Sequence, residues 1–351
     1  MRVFTYFVEP ASYTLDLVDK VHDNLSIDYA MINNTSKAKS EEVKNRIIFL
    51  QELTLIQKLK YIYKVWKDYN LIIINGYTNY VFICTYLLNK ITFNKRFIAI
   101  ESDTQLIIPS NIIKRGIKYI YLYIIFRDKY ILGLSGGSNT HKRLFSYYGM
   151  QKDRLFLMPM MVDNTKYYNN PKMFPKTFTF LFVGRLIKTK NVDILCDIFC
   201  KNFLDKDAKL IIIGRSNNID FISNRYSHQN IVFTGDVYGK ELIKFYHNAS
   251  VFVFPSSKES WGLVINEALA SSLPVIAHKE VGATHDLICE KETGFIIDDW
   301  SELEDRMLEL YHDQELCERF SANAYNIMKE HWNYNLYKKS LDKLFKYVAS
   351  H

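Results

Sequence analysis

Short, nearly continuous apolar runs alternate along the chain with longer stretches of helical periodicity. In the first half the runs are Val3–Val8, Ile27–Ile32, Leu71–Asn75, Phe97–Ile100, Tyr130–Leu134 and Leu155–Met158, with helix candidates such as Glu41–Asp68 and Ser110–Phe126 between them. A strand with one wet face alternates apolar and polar residues, so runs without that alternation are buried on both faces. The pattern predicts a parallel sheet covered by helices on both sides. Composition shifts at Asn169–Lys176, where NNPKMFPK holds two prolines and no periodicity. A second series follows, with runs at Phe178–Val183, Leu210–Ile213, Ile231–Phe233, Val251–Phe254, Val275–Ala277 and Phe295–Ile297, and helices close the chain after Trp300. The expected fold class is α/β, with two Rossmann-like doubly wound domains, residues 1–165 and 176–332, joined by a linker at 166–175. Ligands in such sheets sit beyond the carboxyl ends of the strands, so two halves facing across a cleft would share a site there.

A length of 351 residues suits two such domains, and 48% hydrophobic with 24% charged residues excludes wholesale disorder. The five cysteines are odd in number, spread out and without a C-x-x-C pair, which argues against a zinc site or disulfide framework and for a reducing compartment. The nine histidines show no H-x-x-x-H spacing, so no metal is expected. Glu9 and Pro10 break the first apolar run, which reads as a strand rather than a signal peptide, and Ile117–Phe126 is too short to span a bilayer. The expectation is a soluble cytoplasmic protein. Net charge is +7, and its distribution is one-sided: residues 1–165 hold 22 Lys/Arg against 14 Asp/Glu, the rest 23 against 24. A basic half suggests an anionic partner, whether nucleic acid, anionic lipid or phosphorylated substrate.

Two loops carry most of the chemistry. In Val183-Gly-Arg-Leu-Ile-Lys-Thr-Lys-Asn191 a strand ends, Gly184 permits a tight turn, and Arg185 and Lys190 precede a helix start. Cations beside the free N–H groups of a helix N-terminus suit a diphosphate, although a solvated loop would look the same. In Pro255-Ser-Ser-Lys-Glu-Ser-Trp-Gly-Leu-Val-Ile-Asn-Glu267, Glu259 falls in the loop and Glu267 about two turns into the next helix. Gly262 allows close backbone approach, the N–H groups of Gly262, Leu263 and Val264 suit an anion, and carboxylates suit sugar hydroxyls. An isolated Glu is more often a cap or a solvated charge. Gly235-Asp236 and Gly282 are weaker features, and His285 reads as structural.

Taken in order, VGRLIKTKNVDIL, IIIGRSN, IVFTGDV, FVFPSSKESWGLVINEALASSLPVIAHKEVGATHDLI and GFIID resemble the nucleotide-sugar domain of family 4 glycosyltransferases, retaining enzymes of the GT-B fold. The resemblance covers about residues 178–298 and makes Glu259 and Glu267 the E-x7-E pair. It implies that Arg185 and Lys190 neutralise the donor diphosphate. Glu259 would meet the donor sugar, Glu267 the ribose, and the backbone at Gly184 and Gly262–Val264 the donor. It also implies a final helix, 334–351, crossing back to the first domain, and Tyr337, Leu341, Leu344, Phe345 and Val348 have the spacing for it.

The first half departs from the family. A Gly-Gly loop is replaced by Glu9-Pro-Ala-Ser12, a His-Asp pair by Glu101-Ser-Asp103, and P-N-G-V-D by Pro159-Met-Met-Val-Asp163. Glu101 and Asp103 are candidate acceptor-hydroxyl ligands, with strand-end capping as the alternative. Lys114, Arg115 and Lys118 crowd one helix start, where they oppose its dipole, and are candidate contacts to an anionic membrane. The expected activity is transfer of a sugar from a UDP- or GDP-sugar to a glycan or lipid-linked hydroxyl in bacterial surface polysaccharide synthesis, without cofactor or metal. The rivals are a nucleotide-sugar epimerase of the same fold and a non-catalytic nucleic-acid or anion binder.

Overall fold

The structure, a computed structural model, describes residues 1–34, 47–215 and 224–351. The chain divides into two compact units, Met1–Met161 with Tyr334–His351, and Val162–Asn333.

The first unit is built on β1 (Val3–Phe7), β2 (Asp28–Met31), β3 (Leu71–Asn75), β4 (Phe97–Ser102), β5 (Ile131–Ser135) and β6 (Leu155–Leu157). Helices α1 (Ser12–Leu17), α2 (Leu55–Asp68), α3 (Tyr80–Ile91), α4 (Ile112–Phe126) and α5 (Thr140–Tyr147) connect them. The sheet is parallel throughout, in the order β2-β1-β3-β4-β5-β6. Chain direction across the sheet reverses between β1 and β3. Right-handed crossovers place α2, α3, α4 and α5 side by side on one face. Ile72, Ile74, Ile98, Ile100 and Ile131 are fully buried between layers, the physical meaning of apolar runs without alternation.

The second unit repeats the plan with β7 (Phe178–Val183), β8 (Ala208–Ile213), β9 (Ile231–Gly235), β10 (Val251–Phe254), β11 (Val275–His278) and β12 (Gly294–Ile297), in the order β12-β11-β10-β7-β8-β9. Helices α6 (Val192–Phe203), α7 (Gly239–His247), α8 (Leu263–Ala270), α9 (Thr284–Leu287), α10 (Trp300–His312) and α11 (Gln314–Glu330) cover it. Here the reversal falls between β7 and β10.

Three expectations change. The helix expected over Glu41–Asp68 begins at Leu55, where Thr54 and Gln57 form a reciprocal capping box. Residues 41–46, like Ser216 and Asn217 of IIIGRSN, lie outside the described residues. Residues 166–175, expected as a linker, belong to the second unit: Lys172 Nζ donates to the His247 carbonyl at 3.0 Å, and the His247 ring meets the Tyr167 carbonyl at 2.9 Å. The unit boundary lies at Met161, ahead of the expected residue 165. The last helix, α12 (Tyr334–Ser350), packs within the first unit against β6 and the turn at Val18–His22, burying Tyr337, Leu341, Leu344 and Val348.

Candidate functional site

In the second unit the loops after β7 and β10 meet at the point where strand order reverses, the usual ligand crevice of a doubly wound sheet. The β7 loop is held open by its neighbours. Gly184 N–H donates to the Ile213 carbonyl at 2.9 Å, Leu186 N–H to Arg215 at 2.9 Å, and Gly214 N–H to Gly235 at 2.8 Å. Arg185 is thus presented outward and is exposed. The chain then forms one 3-10 turn, Lys188–Lys190, and enters α6 through Asn191 at φ 52°, whose amide donates to the Pro255 carbonyl at 2.8 Å. Asn tolerates that left-handed angle where most residues do not.

Lys190 points inward and is 5% exposed. Its ammonium pairs with Glu259, lies 3.3 Å from Ser256 Oγ and sits 4.7 Å from the Phe254 ring centroid. Residues for which the sequence suggested separate partners, diphosphate and sugar, are therefore bonded to each other. A buried cation needs such a counter-charge, because desolvation without one is costly.

Glu259 is positioned by backbone bonds: its N–H reaches the Glu280 carbonyl at 3.4 Å, and its own carbonyl accepts from Gly282 N–H at 3.2 Å. The chain then turns into α8 at Gly262, φ 97°, where a Cβ would lie 3.0 Å from Val281 Cγ1 and 3.2 Å from Glu259 Cγ. That angle favours glycine. α8 starts at Leu263, with Ile265 N–H closing the first turn on the Gly262 carbonyl. The amides of Gly262, Leu263 and Val264 thus lead the helix, where the dipole favours anions. Trp261, buried against Trp332 at 5.5 Å, donates to Asn266 Oδ1 at 2.7 Å and anchors the turn.

Glu267 lies in the second turn of α8. Tyr246 Oη donates to it at 2.7 Å and Tyr167 Oη at 3.1 Å. Burial pushes its carboxyl above the usual range, and the two phenol bonds oppose that. Each carboxylate oxygen keeps a second acceptor site for a hydroxyl. Neither tyrosine was legible as a site residue. Tyr167 sits in the supposed linker, and Tyr246 is a buried aromatic on α7. Asp236 pairs with Arg215, and His285 bonds the Lys279 carbonyl at 2.8 Å.

The first unit has its own cavity of about 400 Å³ beyond the carboxyl ends of β1, β3 and β4, lined among others by Glu9, Tyr13, Asn75, Glu101, Asp103 and Tyr337. The structure thus brings Glu101 and Asp103 together, with Tyr337 supplied from α12. Glu101 is buried and accepts from the Asn75 amide. Burial raises its carboxyl from 4.5 to about 7, with Asp103 adding to the rise and Asn75 opposing it. The sign for stability follows. Below pH 4.5 the group is protonated in both folded and unfolded chains. As pH rises toward 7 only the unfolded chain releases the proton, so stability falls. Glu101→Gln should therefore stabilise the protein by roughly 3 kcal/mol at pH 8 and leave it unchanged at pH 4. Urea unfolding at the two pH values checks this; an equal effect at both would contradict it.

Two of the three cations at the start of α4 have partners within their own segment. Arg115 donates to the carbonyls of Pro109 at 3.1 Å and Ser110 at 3.3 Å, and Lys118 to Ile107 at 2.7 Å. Both therefore tie down the segment that leads into α4. Lys114 is exposed. Among the described residues no three His, Cys, Asp or Glu side chains are grouped as a metal site.

Comparison with known proteins bears on the same segment. Residues 163–327 match the family model of the glycosyl transferases group 1. The range holds Arg185, Lys190, Glu259 and Glu267. A capsular polysaccharide biosynthesis glycosyltransferase of Staphylococcus aureus is 29% identical over 192 residues, 52% of this chain and 50% of that one. An uncharacterized glycosyltransferase of Methanocaldococcus jannaschii is 26% identical over 349 residues, 93% of this chain and 92% of its own. The chain thus spans about half the length of the first relative and nearly all of the second. The Anabaena protein HepE, solved with UDP and glucose, superposes with a TM-score of 0.75 at 16% identity, covering 99% of this chain and 100% of its own. The fold is the two-domain GT-B fold.

Proposed function

We propose that the protein is a retaining, family 4 glycosyltransferase that moves a sugar from a nucleoside diphosphate sugar to a hydroxyl of a glycan or lipid-linked acceptor. The carrying observation is the pairing of buried Lys190 with half-buried Glu259 beside the glycine-led N-terminus of α8, at the strand-order reversal of the segment 163–327. A cation, a helix N-terminus and two carboxylates in one crevice suit a diphosphate carrying two polyols. UDP bound to the Anabaena protein and the capsular role of the S. aureus relative support a UDP- or GDP-sugar and bacterial surface polysaccharide synthesis in the cytoplasm.

In this reading Arg185 and Lys190 hold the diphosphate, the amides of Gly262–Val264 hold its oxygens or the sugar, and Glu267 holds the ribose. Glu259 holds Lys190 until donor arrives and then meets the sugar hydroxyls. Glu101 or Asp103 would bind hydroxyls of the acceptor, whose reacting hydroxyl attacks the anomeric carbon on the face the phosphate leaves. The carbon–phosphate oxygen bond breaks, and the departing phosphate oxygen takes the acceptor proton. The two cations stabilise the charge that develops there, so no metal is required.

Calorimetry on Glu267→Ala and Glu259→Ala tests the assignment. Glu267→Ala should weaken UDP or GDP binding by roughly tenfold, the order of a lost hydrogen bond to a charged group. Glu259→Ala should leave nucleotide binding intact or tighter, since Lys190 loses its competing partner, while turnover collapses. Turnover should persist in excess EDTA. Equal loss of nucleotide in both variants, or a metal-reversible loss of activity, would overturn these roles.

A further inference from the structure

The outer face of the helix layer α2–α4 is apolar, and no element among the described residues covers it. On α4, Ile113, Ile117, Ile120 and Ile124 recur at helical spacing and are 57–73% exposed. The buried residues of the same helix, Leu122, Ile125 and Phe126, lie on the opposite side. On α3, Ile83, Leu87 and Ile91 form a second exposed stripe, continued by Phe93, which is 100% exposed. Leu55 and Ile56 extend the surface onto α2. The helices are neighbours: Trp66 on α2 donates to Asn89 on α3 at 3.1 Å, and Tyr121 on α4 to the Tyr77 carbonyl, just before α3, at 2.5 Å. One helix with exposed isoleucines is ordinary. Exposed stripes on two neighbouring helices, with further apolar side chains at the start of a third, are of the kind that marks an interaction surface.

The charge around the patch selects the partner. Helices α2, α3 and α4 together carry eight Lys/Arg and a single acidic residue, Asp68. Lys60, Lys64 and Lys67 lie exposed on α2, and α3 and α4 hold no carboxylate. A protein partner would need its own apolar face ringed by acids. An anionic bilayer offers an apolar interior below a negatively charged headgroup layer without further requirement. No helix among the described residues is long and apolar enough to cross a membrane. We infer that the outer face of α2–α4 docks on the surface of an anionic bilayer, inserting its isoleucines between headgroups while the α2 lysines meet the lipid charge. The isoleucine stripe makes the apolar part of that contact.

The face also continues toward the cavity of the first unit. Thr104 lines that cavity, and Ile107 and Ile108, both exposed, lie on the segment running from it to α4. Docking would hold the cavity mouth beside the lipid, a placement that fits a lipid-linked acceptor. Only this last clause rests on the proposed function.

Co-sedimentation of the full chain with vesicles tests the inference, using phosphatidylcholine alone and mixed with phosphatidylglycerol. The protein should bind the mixed vesicles, and added salt should weaken binding without abolishing it, because ions screen lysines but not buried isoleucines. The double variant Ile117→Glu/Ile124→Glu should bind roughly tenfold or more weakly. Its thermal unfolding midpoint should be unchanged, since both side chains are exposed. Lys60→Glu/Lys64→Glu should lose the preference for phosphatidylglycerol. The inference falls if the wild type ignores mixed vesicles, or if the isoleucine variant binds as well as the wild type. It falls equally if the wild type is a dimer that the isoleucine substitutions dissociate, which would assign the face to a second copy. Vesicle binding is read without sugar transfer, so failure here leaves the proposed activity standing.

Discussion

Replacing Lys190 by alanine is expected to lower turnover by roughly 10²–10³-fold, the range for removing one preorganised charge-stabilising group. The reason is placement. Arg185 is exposed, so water and salt screen its charge. Lys190 is buried over the Phe254 ring, in a low-dielectric pocket where the same charge acts more strongly. Arg185→Ala should therefore cost less than Lys190→Ala in both nucleotide affinity and rate. Removing Lys190 also leaves Glu259 without its ion-pair partner, so part of the loss should reappear as lower stability. The double variant Lys190→Ala/Glu259→Ala should lose less than the two single losses multiplied, because the residues act as a unit. Steady-state kinetics on the four proteins reads this directly. Multiplicative losses would show that the pair is incidental to the reaction.

Gly214→Ala is expected to destabilise the second unit by roughly 3–5 kcal/mol, combining overpacking with backbone strain. Gly214 lies at the end of β8 at φ 140°, and a Cβ there would stand 1.9 Å from the Gly184 carbonyl oxygen. The obstacle is backbone, which cannot rotate aside as a side chain can. The contact also sets the register between the β7 loop that carries Arg185 and the loop after β8. Surviving protein should therefore bind nucleotide poorly. Gly235→Ala is the control: its φ is 72°, but a Cβ would meet nothing among the described residues within 4 Å. It should cost about 1 kcal/mol, the left-handed backbone alone. Urea unfolding of both variants would decide, and similar costs would mean that the close approach is relaxed in solution.

The contrast between these two glycines shows what is legible in a sequence. IIIGRSN and IVFTGDV both read as strand ends with a glycine. Only the pairing of β7 with β8 separates a glycine that must be one from a glycine that is merely convenient. The α2 start was legible in principle, as the T-x-x-Q capping box at Thr54–Gln57, but the apolar periodicity upstream obscured it. The cations at the start of α4 drew attention because they oppose the helix dipole. Their partners are carbonyls of Ile107, Pro109 and Ser110, contacts that no charge count can show. The apolar stretch Ile117–Phe126 admits two readings from sequence alone, a core helix or a surface that touches a membrane. The helix has two apolar stripes, and only packing against the sheet decides which is buried.

Local order determined a great deal. Twelve apolar runs without alternation became twelve parallel strands, because a strand buried on both faces has no polar positions to show. Loops at the ends of those strands carried Arg185, Lys190, Glu259, Gly262 and Glu267 into one crevice, since a parallel sheet puts every carboxyl end on the same edge. Tertiary structure alone decided who touches whom within that frame. It paired Lys190 with Glu259 across 69 positions of chain, gave Glu267 two phenols from Tyr167 and Tyr246, and brought Tyr337 from the last helix to the cavity of Glu101. Periodicity records which face of an element is dry. It carries no record of the distant side chain that fills the facing space, and those distant contacts set the charge state and the reach of every group in the site.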